Sequence, residues 1–314
     1  ILEVRDAVTS HASLRTIYFV LQHNASRDKS VGPNRRKSHM SVITILRSSR
    51  GFPVHLNAPK FSRFSHSGME FSYFDEGDRD GELTLLIHGF ASSAFVNWVQ
   101  PGWLQTLRDA GRRVIAIDNR GHGQSAKPHD SAAYHPALMA GDSAALLDHL
   151  GIERADVFGY SMGARISAFL ALGHSERVRS LVWGGLGIRL VHGAEEWDPI
   201  AEALLAPSVE SITHERGLTF RLFADKNGSD RLALAACIAS NRVLVTEAEA
   251  ARLLQPVLIG VGTRDDIAGD PHQLAALLPD ARVVDIPNRD HMLAVGDRVF
   301  KKAVLDFYKE IVGL

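Results

Sequence analysis

Short apolar segments alternate with segments of helical periodicity from residue 61 to the end of the chain, and this alternation constrains the fold more than any other feature. Most of the apolar segments run directly into glycine or aspartate. They span residues 83–87, 114–117, 155–158, 179–183, 257–261 and 282–286. Strands of a parallel sheet, which are buried on both faces, have this composition. We therefore predict a strand at each of these segments.

Helical periodicity fills most of the intervals between these strands. It covers residues 137–150, 162–172, 270–278 and 299–312. Residues 69–75, by contrast, alternate between apolar and polar side chains as an antiparallel strand does. Strands and helices in alternation predict an α/β fold, in which helices cover both faces of a doubly wound, mostly parallel sheet.

The longest interval, between the predicted strands that end at residues 183 and 261, contains only helix-like sequence. This sequence covers residues 199–205, 209–222 and 231–254. It is too long for one crossover connection. We interpret residues 187–254 as a helical cap inserted into a core of residues 59–186 and 255–314. Because ligands of open α/β sheets bind where the strands end, we expect the cap to cover that edge.

Residues 1–58 show no sustained helical or strand period and are rich in serine and arginine. A segment with so few patterned apolar residues cannot bury a core of its own. We therefore expect residues 1–58 to be a disordered leader or a non-native extension.

The net charge and the cysteine content indicate which binding partners and which cellular compartment to expect. The net charge is −1, which gives no electrostatic reason to expect nucleic acid or an anionic membrane as a partner. No apolar run approaches the roughly 18 residues that span a bilayer, so we expect no stable membrane association. The single cysteine, Cys237, allows no intramolecular disulfide, which fits a reducing cytoplasm.

The most informative motif is Gly159–Tyr160–Ser161–Met162–Gly163, which fits the pattern G-x-S-x-G. It lies between a predicted buried strand and a predicted helix, which is the context that the pattern requires. A sharp turn at this point exposes the serine hydroxyl above the sheet. The motif therefore predicts that Ser161 is a catalytic nucleophile.

A nucleophilic serine needs a general base, and the base needs a carboxylate that orients it. His291 follows the last predicted strand, and Asp265 and Asp266 follow the strand at 257–261, so all three would lie on the same edge of the sheet as Ser161. We predict that His291 is the base, with His122 as the competing candidate. Asp265 is preferred as the acid because it lies nearer the strand end, and we expect Asp266 to cap the following turn.

Acyl transfer also needs hydrogen-bond donors for the oxyanion that develops on the carbonyl oxygen. One donor would be the backbone N–H of Met162, directly after the nucleophile. The other would be the backbone N–H of Phe90, in the loop that His88–Gly89 opens. The sequence contains no H-E-x-x-H motif, no cysteine cluster and no phosphate-binding P-loop, so we expect neither a metal nor a cofactor.

With these residues in place, the chain from about residue 61 to 314 resembles the α/β-hydrolase superfamily. The resemblance rests on His88–Gly89, on the loop at 118–125, on Ser161, and on the loops that carry Asp265 and His291. Within the superfamily the chain is similar to serine carboxylesterases, enol-lactonases and cofactor-free haloperoxidase-like proteins.

Differences between this sequence and other branches of the superfamily reduce the number of families that it resembles. Epoxide hydrolases and haloalkane dehalogenases have an aspartate where Ser161 stands. The HGGG loop of the hormone-sensitive-lipase group is missing. Hydrolases of C–C bonds usually have a stretch rich in glycine and proline, with an asparagine, after the HG motif, whereas residues 90–94 here read FASSA.

The resemblance implies a serine hydrolase that cleaves small to medium carboxylic esters or lactones through an acyl-enzyme. Two alternatives remain open at this point. One is a C–C bond hydrolase with the same Ser161–His291–Asp265 triad. The other is a receptor-like member that binds a ligand and turns it over slowly.

Overall fold

The computed structural model describes residues 58–193, 197–240 and 242–312. The expected leader, residues 1–58, lies outside the described residues except for its last position. No helix in the described ranges is both long and apolar enough to cross a bilayer.

An eight-stranded sheet forms the centre of the fold, in the order β1-β2-β4-β3-β5-β6-β7-β8. The strands are β1 (Phe61–His66), β2 (Met69–Glu76), β3 (Leu83–Ile87), β4 (Arg113–Ile117), β5 (Ala155–Tyr160), β6 (Val178–Gly184), β7 (Val257–Gly262) and β8 (Ala281–Ile286). β2 pairs antiparallel with β1 and with β4, and the pairs from β4 through β8 are all parallel. This is the mostly parallel α/β sheet that the sequence predicts.

Helices cover both faces of the sheet and form the insertion between β6 and β7. They are α1 (Trp103–Asp109), α2 (Pro136–His149), α3 (Met162–Gly173), α4 (Arg189–His192), α5 (Asp198–Leu205), α6 (Glu215–Lys226), α7 (Arg231–Ser240), α8 (Glu247–Ala250), α9 (Pro271–Ala275) and α10 (Arg298–Val312). Helices α4 to α8 lie between β6 and β7, in the segment of residues 187–254 that we call the cap.

Two hydrophobic clusters lie on opposite faces of the sheet, because successive side chains of a strand point in opposite directions. Leu85 and Ile87 of β3 belong to one cluster, which also contains residues of α2, α3 and the cap. Leu86 belongs to the other cluster, together with buried residues of α1 and α10. The sheet is therefore buried on both sides, as its apolar strands require.

Several elements differ from the sequence-based predictions. The predicted helix at 231–254 is broken: α7 ends at Ser240, and α8 begins after a capping box in which Thr246 and Glu249 exchange hydrogen bonds. The predicted helix at 209–222 starts later, because the side chain of His214 accepts a hydrogen bond from Gly217 N and so caps α6. The predicted helix at 270–278 is reduced to α9. β1, which pairs with β2, and α1 were not predicted.

Candidate active site

Ser161 occupies a strained turn between β5 and α3. Its φ is 54° and its ψ is −112°, a conformation that costs energy for any residue with a side chain. Gly159 and Gly163 make the turn possible: a Cβ atom on Gly163 would overlap the carbonyl oxygen of Ile87, and one on Gly159 would overlap the backbone of Gly163. Helix α3 consequently lies directly against β3 and β5, with Ser161 at the edge where the parallel strands end.

Ser161, His291 and Asp265 are joined by hydrogen bonds. The distance from Ser161 Oγ to His291 Nε2 is 3.0 Å, and the distance from His291 Nδ1 to Asp265 Oδ2 is 2.8 Å. With Nδ1–H donating to the carboxylate, Nε2 is left to accept the proton of the serine hydroxyl. The structure brings together the three residues that the sequence singles out, in an arrangement that can activate a serine nucleophile.

The carboxylate of Asp265 is buried and fully hydrogen-bonded. Its Oδ1 atom accepts from the backbone N–H groups of Ile267 at 2.8 Å and Ala268 at 2.9 Å. Burial alone would raise the pKa of this carboxyl, but the nearby His291 and these hydrogen bonds outweigh burial and hold the pKa below its ordinary value. Asp265 is therefore an anion at neutral pH, as the orienting carboxylate of a histidine must be.

Asp266 neither binds His291 nor caps the following turn. Its side chain is 74% exposed, and it forms an ion pair at 2.9 Å with Arg216 of α6. The role of capping the following turn, which we expected for Asp266, belongs to Asp265, because Asp265 Oδ1 accepts the two backbone N–H groups of that turn.

His122, the competing base, is buried away from the serine hydroxyl. Its Nδ1 atom is 2.9 Å from the carbonyl oxygen of Arg120, and its ring lies 5.2 Å from the ring of His88. Burial, with a contribution from the neighbouring His88, lowers the pKa of His122 to about 3. Burial likewise lowers the pKa of His88 to about 4. Both rings are neutral at physiological pH.

The loop that starts at His88 lies against the nucleophile. A Cβ atom on Gly89 would be 3.2 Å from the carbonyl oxygen of Tyr160 and 3.5 Å from Ser161 Cβ, so the loop lies in contact with the turn that carries the nucleophile. Ala91 in this loop has a left-handed φ of 56°. Within the described part of the chain, the backbone N–H groups of Phe90 and Met162 donate to no other group. They are therefore available as donors to an oxyanion.

Two further residues support this arrangement, and the sequence patterns did not identify either. Asn97 Oδ1 accepts a hydrogen bond of 3.0 Å from Gly89 N and so fixes the loop that carries Phe90. The hydroxyl of Tyr160 donates to the backbone carbonyl of His291 at 2.6 Å. No motif specifies Asn97, and Tyr160 stands at a variable position of G-x-S-x-G.

The side chains around this edge of the sheet are mostly apolar. The ring of Phe90 lies 5.7 Å from that of Phe220 on α6, and Cys237 Sγ of α7 lies 3.7 Å from Met162 Sδ. The cap thus touches both Phe90 and Met162, the two residues whose backbone N–H groups the sequence predicts as oxyanion donors. In the described ranges, no group of three or more His, Cys, Asp or Glu side chains is arranged to hold a metal ion.

Part of the chain is similar in sequence to known proteins. The protein family described as alpha/beta hydrolase fold matches residues 84–209. Epoxide hydrolase B of Mycobacterium tuberculosis is 37% identical over 105 residues, which are 33% of this chain and 29% of that protein. The 2-hydroxymuconate semialdehyde hydrolase of Pseudomonas sp. (strain CF600) is 37% identical over 134 residues, 41% of this chain and 44% of that protein. The chain therefore spans less than half the length of these curated relatives.

Solved structures match over a larger part of the chain. A hydrolase from Pseudomonas aeruginosa PA01 has a TM-score of 0.62 at 26% identity, and the match covers 82% of this chain and 100% of that one. The enol-lactonase from Burkholderia xenovorans LB400 has a TM-score of 0.63 at 20% identity, with 81% and 100% covered. Together with the sheet order and the serine turn, these matches show that the chain has the α/β-hydrolase fold.

Proposed function

We propose that this protein is a serine hydrolase that cleaves small to medium carboxylic esters or lactones, with Ser161 as nucleophile, His291 as base and Asp265 as the orienting acid. The observation that carries the proposal is the continuous hydrogen-bonded path from Ser161 Oγ through both nitrogens of His291 to Asp265. The nucleophile is held in a strained turn, and such strain is typical of reactive sites.

The geometry supports a two-step acyl transfer. His291 Nε2 takes the hydroxyl proton as Ser161 Oγ attacks the carbonyl carbon, and Asp265 stabilises the imidazolium that forms. The N–H groups of Phe90 and Met162 donate to the oxyanion. His291 then gives its proton to the departing alcohol, which leaves an acyl-enzyme on Ser161. Water, deprotonated by the same nitrogen, attacks the acyl-enzyme and releases the acid.

Ester chemistry fits Ser161 better than epoxide opening, although an epoxide hydrolase is among the relatives. Attack by a carboxylate on an epoxide gives an ester, which water can cleave. Attack by a serine hydroxyl would give an ether, which has no carbonyl for water to attack. The apolar surroundings of Phe90, Phe220 and Cys237 favour an apolar acyl group over a charged one.

Hydrolysis of a C–C bond is the second candidate, and two observations favour it. The relative from Pseudomonas sp. (strain CF600) is named a semialdehyde hydrolase. Asn97 lies eight residues after Gly89, and its side chain accepts a hydrogen bond from the N–H of that residue, so an asparagine holds the loop after the HG motif even though residues 90–94 differ from the C–C hydrolase pattern. Activity on a vinylogous diketone without cleavage of esters would favour this candidate.

The test of the proposal is Ser161→Ala. The unmodified protein should react with a fluorophosphonate probe at one residue and should turn over p-nitrophenyl esters repeatedly. Ser161→Ala should abolish labelling and lower turnover by roughly 10⁴-fold, because only oxyanion and binding effects remain without the nucleophile. Ser211→Ala, at an exposed serine, is the matched control and should change neither.

Two outcomes would count against the proposal. Full ester turnover by Ser161→Ala would show that Ser161 is not the nucleophile. A single burst of product, followed by a steady rate near zero, would favour the receptor-like alternative, because an intact triad can be acylated without being an efficient catalyst.

A further inference from the structure

Arg165 is a buried arginine in the helix that carries the nucleophile. It lies four residues after Ser161 in α3, and its backbone N–H donates to the carbonyl oxygen of Ser161 at 3.2 Å. Only 6% of the residue is exposed. The proposed ester chemistry does not use this side chain, and the G-x-S-x-G pattern does not specify it.

The guanidinium of Arg165 donates only to backbone carbonyls of the cap. Nη2 lies 2.9 Å from the carbonyl oxygen of Arg189, and Nη1 lies 2.8 Å from that of Val243 and 3.3 Å from that of Leu190. The carbonyl of Leu190 also accepts from Val245 N at 3.2 Å. One side chain of the core therefore binds both the first helix of the cap, α4, and the segment by which the chain leaves α7.

No carboxylate within the described part of the chain pairs with Arg165. Burial lowers the pKa of its guanidinium to about 10, so the group stays charged at neutral pH. A methionine could fill similar space without desolvating a charge. What arginine adds is a rigid, planar set of donors that can reach three carbonyl oxygens at fixed angles.

Two ion pairs between cap and core are more exposed. Arg216 pairs with Asp266, whose side chain is 74% exposed, and Asp230 pairs with His129, whose side chain is 52% exposed. Water and salt screen such pairs, and they contribute little to a fixed geometry.

The start of the cap is also held by backbone bonds of 2.9 Å from Gly187 N to Ala268 O and from Ile188 N to Asp270 O. Arg165 adds buried contacts that reach the segment after α7 as well.

The position of the cap determines the surroundings of the scissile carbonyl. Phe220 of α6 packs on Phe90, and Cys237 of α7 contacts Met162. A shift of the cap would move both apolar contacts relative to the nucleophile. The effect should increase with the length of the acyl group, because a longer chain has more contact with the cap.

We propose that Arg165 is a positioning residue that clamps the cap over Ser161 and thereby determines how long an acyl chain the site accepts. The acyl-chain part of this proposal rests on the proposed ester hydrolysis. The clamp itself does not, because it can be measured without turnover.

The experiment compares Arg165→Met and Arg165→Lys with the unmodified protein in two measurements. Hydrogen–deuterium exchange should become faster at the amides of residues 187–193 and 242–250 in Arg165→Met. The ratio of kcat/KM for p-nitrophenyl octanoate to that for p-nitrophenyl acetate should fall by about tenfold, the effect expected from losing a charged hydrogen bond. In Arg165→Lys, the exchange rates and the ester ratio should lie between those of Arg165→Met and those of the unmodified protein, because a single ammonium cannot reach all three carbonyls.

His129→Ala, which removes an exposed contact between cap and core, is the matched control and should leave exchange and the ester ratio unchanged. Unchanged exchange in both Arg165 variants would overturn the clamp. An equal fall for both esters would overturn the role in acyl selection. If neither ester is turned over, the proposed function fails and the exchange measurement alone decides the clamp. Should Arg165→Met not fold, Arg165→Lys supports the same comparisons.

Discussion

Asp265 and Asp266 are neighbours in the chain with opposite surroundings. The carboxylate of Asp265 is buried against His291, whereas that of Asp266 faces solvent beside Arg216. We predict that Asp265→Asn lowers kcat for a p-nitrophenyl ester by roughly 10⁴-fold, since an amide favours the wrong tautomer of the base. Asp266→Asn should lower it less than about tenfold, because an exposed ion pair contributes little.

Steady-state kinetics and fluorophosphonate labelling of both variants measure this difference. The two substitutions are isosteric and adjacent, so each serves as the control for the other. A larger loss from Asp266→Asn would mean that the carboxylate bound to His291 in solution is not that of Asp265.

For individual residues, the order of the motifs along the chain and the ends of the predicted strands were sufficient to predict that Ser161, Asp265 and His291 come together. Parallel strands end at one edge, so three residues far apart in sequence converge without further information. The hydroxyl of Tyr160 on the carbonyl of His291, and the amide of Asn97 on Gly89, could not be predicted. Both are contacts between side chains and backbone, and neither periodicity nor a motif encodes them.

Among the elements, the contact between α3 and β3 depends on the absence of a side chain at Gly163. A Cβ atom there would overlap the carbonyl oxygen of Ile87, a backbone atom that cannot move alone. We predict that Gly163→Ala lowers the free energy of unfolding by more than about 3 kcal/mol, the upper range for overpacking. Gly173→Ala is the control on the same helix: it has open space around it, and the change should stay within about 1 kcal/mol.

Urea unfolding of both variants measures these free energies. Equal values for Gly163→Ala and Gly173→Ala would show that α3 can move away from the sheet at little cost. The tight packing of the helix that carries Ser161 would then not be what holds the nucleophile in its strained turn.

Strands were easier to predict than helices because their signal is stronger. Each predicted strand is present with bounds within two residues, since buried parallel strands read as continuous apolar runs. β1, with the sequence FSRFSH, has an irregular burial pattern and gave no such signal. In the cap, the helical periodicity of the sequence continues past Ser240, although α7 ends there. A capping box at Thr246 then starts a new helix. Local capping there outweighs the apolar pattern.

Two buried histidines should contribute to the acid stability of the whole molecule between about pH 6.5 and 5. The pKa of His122 is lowered to about 3 and that of His88 to about 4, and both are ordinary when the chain unfolds. Below the unfolded value of about 6.5, the unfolded chain binds protons that the folded chain does not, so stability falls as pH decreases. Above that value, neither histidine contributes to the pH dependence.

We predict that His122→Phe removes about 1.4 kcal/mol per pH unit of this acid dependence between pH 6 and 5. The measurement is the free energy of unfolding in urea at several pH values for both proteins. The loss of the hydrogen bond to the carbonyl of Arg120 shifts the whole curve but not its slope. Identical slopes would mean that His122 takes up a proton within the folded protein.

The residues that carry the proposed chemistry and the residues of the cap lie in different parts of the sequence. Ser161, Asp265 and His291 all lie outside residues 187–254, as do Phe90 and Met162. An ancestor could therefore exchange the entire insertion by recombination and pass on the reacting groups intact. A descendant would keep the reacting groups, which are encoded on either side of the insertion, and would receive new surroundings for them from the insertion, with Arg165 as the point at which the two must remain compatible.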